Sequence, residues 1–247
     1  ITQCKNEIHN ILQRANIKLT SYLSDIYGLT GMALLEMFIN GEVITEETVL
    51  PKIQGRVKAT VDQLVEAMDG KLSIEDRFLL GQSLEHYRHL VNQVEEITAV
   101  IKQYVLERFE REYSLLIELP GVSAIVACVI LSEIGPNVEA FQSQGNLASW
   151  AGVCPGSYES AGIKKSSHTT QGNKYLKSSL FQAGGTAGRS KDEAFHNLYA
   201  RISGRSSKMK AIIACAHKLI RIIYKILSTG EHYDAKKALG LRQQARA

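Results

Sequence analysis

The sequence predicts an all-α protein. Apolar residues recur at helical spacing through most of the 247 residues, and short glycine-bearing signals punctuate an otherwise helical pattern. One element dominates: from Ser73 to Glu118 there is no proline, and Gly81 is the only glycine. The architecture expected is a long coiled-coil helical hairpin followed by a compact helical domain with a helix-hairpin-helix-like motif. The expected divisions are 1–118 for the helical linker and coiled-coil region, 119–230 for the compact domain, and 231–247 for a flexible tail.

Residues 1–27 read as a helical lead-in, with Ile8, Ile11, Leu12 and Ala15 on one stripe and Asn16 as its stop. Tyr22, Leu23, Ile26 and Tyr27 make a short apolar turn before Gly28. Thr30 is expected to start a helix with Leu34, Leu35, Phe38 and Ile39 inward, ending at Asn40-Gly41. Thr45 followed by Glu46 and Glu47 is an N-cap with acids in the first turn, where the helix dipole favours them. Pro51 confines that helix to the residues before it. Val57, Val61, Leu64 and Met68 continue an amphipathic stripe to Asp69-Gly70.

Ser73 caps the longest element. Leu80, Leu84, Tyr87, Val91, Val94, Thr98, Ile101 and Val105 alternate in steps of four and three, a heptad seam with one polar position. At about 1.5 Å per residue the helix reaches roughly 65 Å. A stripe of that length needs a partner, and the 54–68 helix and a second subunit are the expected ones. Pro120 ends the helix. Leu119-Pro120-Gly121-Val122-Ser123, with Ala124, Val126, Ala127, Ile130 and Leu131 behind it, resembles a helix-hairpin-helix, whose turn offers backbone N–H groups to a DNA phosphate. A plain αα-hairpin fits the same residues. Asn146 is expected to open a short helix through Leu147, Ala148 and Trp150.

Residues 152–172 read as a loop without apolar period, rich in Gly, Ser, Thr and Lys, and are expected to be mobile. Helices follow over about 173–188, 192–203 and 206–227. The last carries Ile212, Ile213, Ala216, Leu219, Ile220 and Ile223 inward, with Lys208, Lys210, Lys218, Arg221 and Lys225 assigned to its outer face.

The charge is uneven. Residues 1–150 hold 12 basic and 20 acidic side chains, a net of −8, whereas residues 151–225 hold 13 basic and 3 acidic, a net of +10. A basic segment with few acids is the footprint of a polyanion partner, most often nucleic acid. A solvated basic face is the plainer alternative. Cys4, Cys128, Cys154 and Cys215 stand far apart with no C-x-x-C spacing, which argues against a zinc site or a disulfide framework and for a reducing cytosol. No apolar run approaches the length of a membrane span.

For chemistry, the sequence has no G-x-x-x-x-G-K-[ST] phosphate loop and no H-E-x-x-H. What remains is a serine hydroxyl in a glycine-flanked, lysine-bearing loop. Such a hydroxyl attacks a phosphodiester and holds the phosphate as an ester, so that strand transfer proceeds in near-isoenergetic steps. On the residues alone, serines that are merely solvated are the better account of the loop.

Pro155-Gly156-Ser157-Tyr158-Glu159-Ser160-Ala161-Gly162, followed by Gly172-Asn173 and by Leu176-Lys177, resembles the C-terminal transposase domain of the insertion sequence 110/1111 family. So does Leu119-Pro120-Gly121 leading into Ser132-Glu133-Ile134-Gly135, and Cys4–His9 with Ser24–Gly28 resembles the segment joining that family's two domains. The resemblance implies a DNA recombinase. Its N-terminal RuvC-like domain would carry a DEDD carboxylate set for Mg²⁺, its C-terminal domain a nucleophilic serine, and a noncoding guide RNA would specify the DNA. By motif position the serine is Ser160, with Ser157 as competitor. Lys164, Lys165, Asn173, Lys174 and Lys177 become phosphate or RNA contacts; Gly121, Ser123, Arg205 and Lys208 complete the expected nucleic-acid set.

The chain departs from the family pattern in starting, at Ile1, where the linker should begin. It is therefore expected to lack the DEDD domain, to hold no cofactor of its own, and to be inactive alone. The expected partners are DNA, a guide RNA and further copies of itself through the coiled coil, in a bacterial cytoplasm near the nucleoid and away from membranes. The competing readings are a non-enzymatic helical DNA-binding and oligomerisation module, and a purely structural coiled-coil scaffold.

Overall fold

The structure, a computed structural model, describes residues 1–240 apart from 155, 157, 161, 162, 167 and 170, with the backbone alone over 158–160 and 163–166. The chain forms two compact units, Ile1–Ile97 and Thr98–Ala247. The division falls within a long helix, and each unit has its own core. The architecture is all-α with one small hairpin of strands.

In the first unit, α1 (Thr2–Arg14) buries Cys4, Ile8, Ile11 and Leu12, the stripe that its spacing predicts. Asn16 ends it at φ 59, a left-handed conformation that asparagine tolerates. After α2 (Leu19–Tyr22), α3 (Leu29–Asn40) is capped by Gly28 rather than by Thr30, and stops at Gly41 with φ 67. The Thr30 hydroxyl has another task. It donates to Gln54 O at 2.9 Å and accepts from Gln54 N at 2.8 Å, fastening a distant loop to the helix.

Thr45 forms a capping box with Thr48 at the start of α4 (Glu46–Val49), and Pro51 sits in a 3₁₀ turn just after it. The helix expected over 54–68 is shorter. α5 covers Val61–Ala67, with Thr60 and Gln63 as its capping box, and it packs on α2 and α4. A Thr followed three residues later by Gln is a stronger start signal than the apolar residue Val57 before it.

α6 (Ile74–Ile117) is 44 residues long, with non-helical backbone angles at Phe109. Ser73 Oγ accepts from Asp76 N at 3.0 Å and caps it. Its seam is buried at Leu80, Leu84 and Val105, but Val94 and Ile101 are 53% and 45% exposed.

In the second unit, α6 gives way to the Leu119-Pro120-Gly121 turn and then to α7 (Ala124–Ile134) and α8 (Gln144–Trp150). β1 (Tyr158–Ser160) pairs antiparallel with β2 (Ile163–Ser166). α9 (Lys174–Gly188), α10 (Glu193–Arg205), α11 (Lys208–Thr229) and α12 (Ala235–Gly240) complete the unit. α11 lies at the centre and packs against α8, α9 and α10. Its Leu219, Ile220 and Ile223 are fully buried with Leu176, Leu180, Leu147 and Phe195. Each such side chain contributes roughly 1.5–3 kcal/mol by leaving water.

α9 makes this packing possible. Ala183, Gly184, Gly185, Ala187 and Gly188 are all buried. A Cβ on Gly184 would stand 2.7 Å from Ala216 N, so α9 and α11 approach backbone to backbone. Gly121 does the same on another side of α9: at φ 81, its Cβ would lie 2.2 Å from Ala183 O.

Two expectations are corrected here. The segment 152–172 is not structureless, because Tyr158–Ser160 and Ile163–Ser166 pair as the strands β1 and β2. Nor are residues 231–240 frayed. Tyr233 OH donates to Asp192 Oδ2 at 2.9 Å, His232 Nδ1 lies 2.8 Å from Glu118 Oε1, and Ala238 is 3% exposed. A tyrosine and an alanine give this polar stretch enough apolar surface to dock. Among the described residues no helix is long and apolar enough to cross a membrane.

Gly121→Ala is expected to destabilise the protein by roughly 2 kcal/mol or more, because it combines a left-handed φ with a backbone collision. Denaturant melts check this, and unchanged stability would contradict the packing assigned to the turn.

Candidate active site

The hairpin is short, and its position is set by its feet. Gly156 N donates to His168 O at 2.9 Å, joining the outgoing and returning chains below the strands. Only a glycine fits there, since a Cβ would stand 2.2 Å from His168 O. Lower still, Gly172 packs on Gly152 and Trp150 so closely that a Cβ would lie 2.4 Å from Gly152 N. Asn173 N then donates to Trp150 O at 3.0 Å. The segment therefore leaves from the end of α8 and returns to the start of α9 at the same point.

Asn173 is the fastening. Its Oδ1 accepts from Tyr175 N and Leu176 N, both at 3.0 Å, and so caps α9. Its Nδ2 donates to the Glu133 carboxylate at the end of α7. Lys177, one turn into α9, donates from Nζ to Thr169 Oγ1 at 2.8 Å on the returning chain. A side-chain amide with both ends engaged has one allowed orientation, and so the ends of three helices meet at a fixed geometry.

Between the strands, Ser160, the last residue of β1, pairs with Ile163; Glu159 pairs with Lys164 and Tyr158 with Ser166, with an irregularity between Tyr158 and Glu159. Lys165 also lies in β2. Ser157 lies outside the described residues.

The other expected nucleic-acid residues are dispersed. Lys174 opens α9, with Nζ 4.9 Å from the centre of the exposed Tyr175 ring. Arg205 ends α10 and Lys208 begins α11, so the two share the exposed corner between those helices. Ser123 caps α7, accepting from Val126 N at 3.4 Å, while Gly121 is engaged against the α9 backbone. Asn173, Lys174 and Lys177 are thus gathered at the foot of the hairpin, and Arg205, Lys208, Gly121 and Ser123 sit elsewhere on the unit.

α11 differs most from expectation. Lys218 and Arg221, assigned to its outer face, are both half-buried. Lys218 Nζ donates to Ala194 O at 2.9 Å and lies 5.4 Å from the Phe195 ring centre. Burial lowers its pKa, and the charges of Asp192 and Cys215 oppose that. Arg221 Nε donates to Gln144 Oε1 at 3.1 Å. His217, one turn earlier, has its pKa lowered by burial first and by Arg221 second. Burial pushes the Cys154 thiol up, and Arg221 opposes it. Sequence reading missed these residues because α11 is covered on several sides. The long stems of Lys and Arg let them stand at half-buried positions that a simple stripe places outside.

Residues 113–200 match the model of the transposase IS116/IS110/IS902 family. That stretch of the chain carries a domain of this transposase family. The matched stretch takes in the end of α6, α7, α8, the hairpin, α9 and part of α10, the same elements that meet at Asn173. The family chain is 27% identical over 185 residues to a protein named as transposase y4pF/y4sB from Sinorhizobium fredii, covering 72% of this chain and 46% of that protein. It is 30% identical over 158 residues to the pilin gene-inverting protein of Moraxella lacunata, covering 62% and 48%, and 28% identical to that of Moraxella bovis over the same shares. The chain spans about half the length of these relatives.

Among the described residues of this transposase chain, no group of three or more His, Cys, Asp or Glu side chains gathers as a metal site.

Asn173→Ala is expected to destabilise the protein by about 1–2 kcal/mol, the range for loss of a helix cap. Thermal unfolding checks it, and a wild-type melting temperature would contradict the fastening role.

Proposed function

We propose that this chain is part of a recombinase that cuts and rejoins DNA with Ser160 as nucleophile. The observation that supports this most is the fastened strand pair, which carries Ser160 at the end of β1, inside the stretch matched by the transposase family. A nucleophile on a hairpin tied to helix ends is held in place before the DNA arrives, which reduces the entropy lost on reaching the reactive geometry.

In the proposed step, the Ser160 Oγ–H loses its proton to a base and Oγ forms a bond to phosphorus. The bond from phosphorus to the departing deoxyribose oxygen breaks, and that oxygen takes a proton. The strand end is then a phosphoserine ester. Attack on the same phosphorus by the hydroxyl of another strand reverses the sequence, freeing the serine and joining the new strands. No external energy source is needed, because each step exchanges one phosphoester for another. Lys164, Lys165, Lys174 and Lys177 would offset charge on the phosphate oxygens and hold the neighbouring backbone.

Gly121, Ser123, Asn173, Arg205 and Lys208 remain candidates for further nucleic-acid contact. In this proposal the Mg²⁺-binding carboxylates belong to the N-terminal RuvC-like domain that the family resemblance implies. A guide RNA is the proposed source of target choice. The exposed middle of α6, with Val94, Ile97, Ile101 and Tyr104, is the proposed self-association surface. Two of the relatives are named for inverting a pilin gene, and inversion and transposition both require this cut-and-rejoin chemistry.

The second reading, a non-enzymatic DNA-binding module, is favoured by the net charge of +10 over residues 151–225. The two separate at one residue. In the full-length protein with Mg²⁺ and its guide RNA, incubation with labelled DNA is expected to give a covalent protein–DNA adduct. Ser160→Ala should abolish that adduct and Ser157→Ala should retain it. An adduct that survives Ser160→Ala would overturn the assignment, and salt-sensitive binding with no adduct would favour the module.

A further inference from the structure

Arg221 is a buried-side cation without a counter-charge. Its Nε donates to Gln144 Oε1, a neutral acceptor, and among the described residues no carboxylate is ion-paired with it and its Nη groups have no hydrogen-bond partner. A guanidinium stays charged at every relevant pH, and the Arg221 Nη donors are not among the buried unpartnered atoms, so they stand open to water and to an approaching anion.

Lys218, on the next turn of the same helix, shows how this unit treats a cation that it satisfies internally. It has the Ala194 carbonyl, the Phe195 ring and the charge of Asp192. Arg221 has only the amide. Its place is also particular. Arg221 bonds α8 at Gln144, α11 packs along that helix, and α8 ends at Trp150, where Asn173 fastens the returning arm of the hairpin; Cys154, which leads into the hairpin, feels the Arg221 charge. With Nε fixed by Gln144, the fork is oriented and its Nη donors remain, which is the geometry that grips a pair of phosphate oxygens.

We infer that Arg221, oriented by Gln144, binds a phosphate of the DNA strand that enters at the foot of the serine hairpin. This rests on the proposed function for its setting, since it deepens the same site. The phosphate contact itself is independent of which residue is the nucleophile. Arg221 lies outside the stretch 113–200 that the family model matches, so that match assigns it nothing.

The test is equilibrium binding of the full-length protein to duplex DNA across a salt series. One phosphate contact adds about 0.9 to the slope of log K against log salt. Arg221→Gln is expected to reduce the slope by about that amount and to weaken binding about tenfold at low salt. Arg221→Lys keeps the charge but not the fork, so it should keep the slope and still lose several-fold in affinity. Wild-type slope and affinity in a folded Arg221→Gln protein would overturn the inference. If that variant does not fold, Arg221→Lys decides, and wild-type affinity there overturns it. Repeating the series on Ser160→Ala separates the two claims. Its slope should match wild type, and adduct formation by Ser160→Ala would sink the serine assignment while leaving the Arg221 result standing.

Discussion

The Asn173 side chain is the constraint on which the second unit's arrangement depends. One amide caps α9, ties it to Glu133 at the end of α7, and belongs to the residue whose N–H reaches Trp150 at the end of α8. Helix ends carry unpaired backbone groups, and a cap that satisfies them also fixes the direction in which the chain enters. Here the entering chain is the returning arm of the hairpin. The same bonds that begin α9 therefore determine where the hairpin stands.

That arrangement needs close helix packing behind it. The run of alanine and glycine on α9 removes the side chains that would hold α11 and the Gly121 turn away. Dispersion contacts between closely approaching backbones then replace those lost with the side chains. α11 in turn is covered by α8, α9 and α10, and its Arg221 bonds α8 at Gln144. The small residues of one helix thus allow another to pack close beneath the hairpin's feet.

Much of this was legible in the sequence, and the exceptions have physical causes. The starts of α4 and α6 were readable from Thr45 and Ser73, because a cap is a local interaction between residues two or three apart; the capping by Asn173 was not read. The length of α6 was readable from the absence of proline between Ser73 and Glu118. The hairpin at 158–166 was not, because its pairing alternates no apolar residues and depends on feet that close through distant backbone contacts. Nor was the engagement of Glu133 with Asn173, forty positions apart in sequence. Lys218 and Arg221 were misplaced because residue type alone assigns them to water, whereas the packing of α11 does not. The Ser160 proposal came from motif position, and the structure adds to it the backbone pairing of its strand and the fastening beneath.

The most direct measurement is to form the covalent protein–DNA complex, trim it with nuclease and protease, and locate the remaining nucleotide by mass spectrometry. The account predicts a nucleotide joined through phosphate to Ser160. A nucleotide on Ser157, on Ser166, or on any residue outside the hairpin would contradict it.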